Sequence, residues 1–124
     1  MRMMQDPPSI RYYVLDKQTR AVRELDDDGC GDPLIVQWAR QLTAETRRIA
    51  WDDVPDMRAH VSTIFVGFDM LHDFGMHRQP MLFETAVLYD DNAGDTSHVV
   101  AATLDDAEAM HARQLQRLRN GERI

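Results

Sequence analysis

Apolar and polar positions along this chain follow two different periods. From His60 to Phe68 the sequence reads His-Val-Ser-Thr-Ile-Phe-Val-Gly-Phe, and from Met81 to Tyr89 it reads Met-Leu-Phe-Glu-Thr-Ala-Val-Leu-Tyr. Both stretches are dense in β-branched and aromatic residues, which pack well on a pleated surface, so each predicts a strand. Apolar residues at both alternating positions of His60–Phe68 predict a central strand with both faces covered. The two strands pair antiparallel across the polar segment Asp69–Pro80, which holds Gly75 and Pro80. Arg11–Leu15 predicts an N-terminal strand, Asp16–Arg20 a polar turn and Ala21–Leu25 a short returning strand. Asp90–Asp95 is a second turn, and His98–Ala102 a short third strand after the hairpin.

Elsewhere the period is helical. Leu34, Ile35, Trp38, Leu42 and Ile49 recur at a spacing near 3.6, which predicts a helix over about 33–50. Asp32-Pro33 opens it, with Asp as N-cap and Pro at the first helical position, where its missing N–H costs nothing. Trp51–Asp56 then connects onward, because Pro55 cannot continue a helix. Leu104, Ala107, His111, Leu115 and Leu118 form a second stripe and predict a helix over about 104–120. Thr103 is its N-cap and Gly121 its C′ residue. The fold class expected is α+β. A small antiparallel sheet is centred on the hairpin of 60–68 and 81–89, carries an N-terminal strand or hairpin, and packs against the two helices. Residues 1–124 make one domain, with 1–10 flexible.

Composition narrows the setting. The chain has 124 residues, 44% of them hydrophobic, enough to build a core without disulfides. A single cysteine, Cys30, and a start without an apolar core segment point to a reducing cytoplasm. No apolar stretch is long enough for a bilayer, so no membrane partner is expected. The net charge of −7 repels phosphate backbones and disfavours nucleic acid. The arginines near 40–48 and 113–123 read as cations at helix C-termini. Asp26-Asp27-Asp28 lacks the alternating ligands and distal glutamate of a calcium loop, so it reads as a solvated turn.

Several segments carry a resemblance. They are Tyr13–Asp16, Gln37–Arg40, Val61–Asp69, His72-Asp73-Phe74-Gly75, Pro80–Thr85 and Asp106–His111. In their order and spacing, the chain resembles a family of small uncharacterised proteins of bacteriophages, prophages and other mobile DNA, from about residue 12 to residue 115. It departs once. Members usually place the histidine directly after the aspartate, whereas Met70 and Leu71 separate Asp69 from His72 here. The resemblance implies a genomic setting rather than a reaction.

Candidate chemistry gathers in the central loop, at Asp69, His72, Asp73, His77 and Arg78. Glu84 starts the returning strand and can neighbour Asp69 across the hairpin, and His111 can join from the second helix. One histidine with two carboxylates can bind zinc or manganese, or exchange protons. The structural reading of the same residues weighs more. It makes a solvated loop, a Glu84 that caps loop amides or pairs with an arginine, and a satisfied, partly buried His111. No catalytic residue, metal ligand or cofactor is assigned. Phe68, Met70, Leu71, Phe74 and Met76 either fold back onto the core or form a contact surface. The function expected is a non-catalytic binding protein, through Asp69, His72, Asp73, Phe74, His77, Arg78, Glu84 and His111. Its partner is a protein, either a host protein or a second copy in a homodimer. Two alternatives are a module for a nucleotide-like or anionic small ligand and a small metal-dependent enzyme using Asp69, His72 and Glu84.

Overall fold

The computed structural model describes residues 10–69, 79–91 and 97–124. In chain order the elements are β1 (Tyr13–Asp16), β2 (Ala21–Glu24), α1 (Leu34–Gln41), α2 (Ala44–Arg47) and β3 (Arg48–Val54). A 3-10 turn at Pro55–Met57 leads to β4 (Ala59–Phe65), β5 (Phe83–Tyr89), β6 (Ser97–Ala101) and α3 (Leu104–Arg119). β1 and β2 form a two-stranded sheet, and β3-β4-β5-β6 form a four-stranded one. Every pairing is antiparallel. The fold is α+β, as the two periods predict.

The hairpin of β4 and β5 lies at the centre of the larger sheet. Val61 faces Val87, Thr63 faces Thr85 and Phe65 faces Phe83. Both strands alternate strictly between buried and half-buried residues. β4 is therefore central in strand order but fully covered on one face only, which corrects the expectation of two covered faces. It also ends at Phe65 rather than Phe68. Gly67 takes φ 83° and turns the chain, so that Tyr13 N–H donates to the Gly67 carbonyl at 2.8 Å. Phe68 then forms a lone bridge to Tyr12.

α3 covers the buried face. Its ends follow local chemistry closely. The Thr103 hydroxyl accepts the Asp106 N–H at 3.1 Å, and Asp105 and Asp106 place negative charge in the first turn. At the other end Gly121 N–H donates to Leu118 and Glu122 N–H to Arg117, a Schellman closure with Gly121 at φ 84°. Beneath α3 lie two apolar clusters. One joins Leu15, Phe65, Leu82, Phe83, Leu104 and Met110. The other joins Val54, Val61, Val87, Tyr89, Leu115 and Leu118.

The helix expected over 33–50 is replaced by three elements. α1 stops at Gln41, and Leu42 leaves helical geometry at φ −94°, ψ 83°. Thr43 caps the single turn of α2 through Thr46 N–H. Arg48–Val54 is then a strand, because it gains an antiparallel partner in β4, with one register shift at Ile49. The spacing from Leu42 to Ile49 matches a helix by coincidence, and long-range pairing outweighs it. Asp32 does not cap α1 either. Pro33 occupies the cap position without a side-chain bond, while Asp32 Oδ2 pairs with Arg40 at 2.5 Å.

Candidate functional site

Five of the residues expected to bind, His72, Asp73, Phe74, His77 and Arg78, lie outside the described residues, as do Met70, Leu71 and Met76. The other three do not come together. Asp69 Oδ1 accepts the N–H of Met81 at 3.1 Å and so staples the mouth of the hairpin. The Glu84 carboxylate pairs with His98 Nδ1 on β6, a histidine partner where a loop amide or an arginine was expected. His111 lies on the opposite face of the sheet. Glu84 alternates with Phe83 and Thr85, which point toward α3, so strand geometry keeps Glu84 and His111 apart.

His111 belongs to a core network. Its Nε2 lies 2.8 Å from Asp52 Oδ2, and its Nδ1 lies 2.8 Å from Thr63 Oγ1. Thr63 Oγ1 in turn contacts Thr85 Oγ1 at 2.5 Å. An ionised Asp52 only accepts, so Nε2 carries a proton. With a neutral ring, Nδ1 accepts from Thr63, which accepts from Thr85. Every group in this chain is satisfied. The order Asp-His-Thr resembles a nucleophile relay, but Thr63 and Thr85 are 0% exposed. No substrate reaches either hydroxyl, and the network is structural.

The half-exposed face of the sheet carries the more accessible chemistry. Antiparallel register places Asp53 beside His60 and Leu88, Trp51 beside Ser62, Ala86 and His98, and Ile64 beside Glu84 and Val100. Small residues, Ser62 and Ala86, occupy the middle. Trp51, 45% exposed, stacks on the His60 ring with centroids 5.4 Å apart and planes at 28°. Trp51 Nε1–H donates to Asp53 Oδ1 at 2.8 Å. His60 Nδ1 lies 2.6 Å from Asp53 Oδ1, and Nε2 lies 2.5 Å from Asp90 Oδ1. These bonds, first to Asp53 and then to Asp90, raise the His60 pKa. His60, and then Trp51, hold the Asp53 carboxyl below its ordinary value.

Sequence reasoning missed Trp51, Asp53, His60 and Asp90 as a group. Reading residues 51–54 as a helix exit removed the strand that aligns them. The usable signal is Ile49-Ala50-Trp51-Asp52-Asp53-Val54, a turn at Pro55-Asp56, and then a strong strand, which is a hairpin pattern.

Other features offer less. A shallow depression of about 460 Å³ beside the β1–β2 turn includes Lys17, Arg23, Gln41 and Glu45 in its lining. Lys17 Nζ already donates to the carbonyls of Glu45 and Arg48, which leaves Arg23 as the single arginine there. That is a poor match to an anionic ligand held by several arginines. Among the described residues no group of three His, Cys, Asp or Glu stands in a metal-binding arrangement, and no helix is long and apolar enough to cross a membrane. Compared with protein-family models, curated proteins and solved structures, the chain matches none of them.

Proposed function

We propose that the chain is a non-catalytic binding protein of phage or mobile-element type that takes a short basic segment of another protein on the half-exposed face of its four-stranded sheet. The observation carrying this reading is Trp51, half exposed and stacked on His60, on the face of the sheet opposite α3. A rigid aromatic beside small residues is the kind of anchor on which binding energy concentrates. Size selects the partner. Four strands of up to seven residues present roughly 400 Å². That is about half of what each partner buries in a stable interface, near 800 Å². A short segment fits this area better than a second copy. Charge selects the chemistry. The chain carries −7 overall, and Asp53, Glu84 and Asp90 stand on or beside this face.

The test is an NMR titration of the labelled protein with a peptide alternating lysine and leucine, against a matching glutamate and leucine peptide. Support is a set of shifts confined to Trp51, Ser62, Ile64 and Leu88 with the basic peptide alone, and an affinity at least ~10-fold weaker in Trp51→Ser. Equal response to both peptides, or a Trp51→Ser affinity unchanged, overturns the reading. Sedimentation as a dimer that shifts the same residues replaces the basic segment with a second copy.

A further inference from the structure

His60 presents both ring nitrogens to carboxylates that come from different elements. Asp53 belongs to β3, and Asp90 follows β5. An ionised carboxylate only accepts hydrogen bonds, so each contact needs an N–H on the ring. Only the imidazolium supplies both. A neutral ring turns one lone pair toward an anionic oxygen, and that contact becomes repulsive. Among the described residues, the charged groups facing His60 are Asp53 from β3 and Asp90 from beyond β5. Its register partner on β5 is Leu88, and its own strand places uncharged Ser62 on the same face. Trp51 covers the ring.

The two carboxylate arms are not equivalent. Asp53 Oδ1 keeps a second donor, the Trp51 indole N–H. For Asp90, among the described residues, the His60 ring is the side-chain partner, and its backbone N–H holds the Arg58 carbonyl at 2.8 Å. We propose that Asp53–His60–Asp90 is a pH-operated clasp. The imidazolium ties β3, β4 and the turn after β5 together, and loss of its proton frees the Asp90 arm and alters the support beneath Trp51. As a control on partner binding this rests on the docking face proposed above, but the clasp itself is a property of the free chain.

The direction follows from both partners. The carboxylates raise the proton affinity of His60, so the clasp is closed below the ordinary imidazole range and opens as pH rises through the raised value. Asp53 is held ionised below the usual carboxylate range, so the Asp53 arm lets go in acid only when Asp53 itself is protonated.

NMR titration of the histidine ring protons from about pH 5 to about pH 9, with His60 assigned through His60→Gln, tests this. His60 is expected to titrate above the ordinary range. Its midpoint falls by more than about 0.5 in Asp90→Ala and recovers only in part in Asp90→Asn, which keeps an acceptor but no charge. The Asp90 amide becomes more mobile above the midpoint in the parent chain and is mobile at every pH in Asp90→Ala. An ordinary midpoint, one unmoved by Asp90→Ala, or Asp90 mobility that ignores the midpoint overturns the clasp. None of these readouts needs a ligand. Failure of the peptide titration with a normal clasp titration therefore removes the docking reading alone.

Discussion

At the scale of single residues, two positions show how a neighbour decides a side chain's role. His111 lies on the apolar stripe of α3, yet its ring joins Asp52 to Thr63 and closes a polar seam under the helix. Removing it takes away the acceptor of the buried Thr63 hydroxyl and opens a cavity. His111→Ala is expected to cost about 2–4 kcal/mol in urea unfolding. Thr63→Val, Thr85→Val and His111→Leu combined are expected to cost less than His111→Ala alone, because no buried hydroxyl is then stranded and the half-exposed Asp52 carboxylate turns to water. Gly67 is the second case. Its φ is 83°, and a Cβ there meets Trp38 Nε1 at 2.8 Å. That indole donates to the Tyr13 carbonyl at 3.1 Å and ties β1 to α1. Gly67→Ala combines backbone strain with displacement of the indole. Its expected cost is more than ~1 kcal/mol, measured together with a changed Trp38 emission. The motif around Gly67 was visible in the sequence, but the packing that fixes it was not. Trp38 lies 29 residues away along the chain.

At the scale of elements, local signals located α3 and misjudged α1. Both helices begin after an apparent capping residue, Thr103 and Asp32. Only Thr103 bonds an amide of the first turn. Thr103→Ala is expected to cost about 1 kcal/mol. Asp32→Ala removes an exposed pair with Arg40 and no cap, so its effect is expected to be smaller, and parallel thermal melts of the two variants check the order. β3 shows the opposite failure. Its residues follow a helical spacing from Trp38 and Leu42, but β4 offers them six paired positions. Once that edge is available, strand pairing and the core packing of Ile49 and Val54 outweigh local preference. The candidate face depended on the same element. Without β3, neither Trp51 nor Asp53 comes beside His60, so the face was illegible even though every residue in it was in view.

At the scale of the whole molecule, stability is expected to pass through a maximum in pH. Asp27, Asp28, Asp53 and Glu122 are held below their ordinary values, chiefly by hydrogen bonds from Gln37, Cys30, His60 and Arg117 respectively. Their contributions are present above the ordinary carboxylate range and are lost as pH falls through the lowered values. His60 is shifted the other way, so its contribution is present at mildly acid pH and is lost as pH rises through its raised value. Denaturant midpoints across pH are expected to decline on both sides, and His60→Gln to remove the decline that begins just above the imidazole range. These groups are exposed, so added salt is expected to shrink the acid limb. From the sequence alone came what depends on neighbours along the chain. That covers the periods of β4, β5 and α3, the Thr103 and Gly121 ends, the turn of the N-terminal hairpin and the excess of acid. Tertiary structure alone decided which residues meet. A strand's side chains alternate between faces, so the covering by α3 sent Glu84 to one side and His111 to the other. Pairing with β4 turned residues 48–54 from an expected helix end into the strand that brings Trp51 and Asp53 to His60. Register and covering are properties of contacts between distant segments, and no local period contains them.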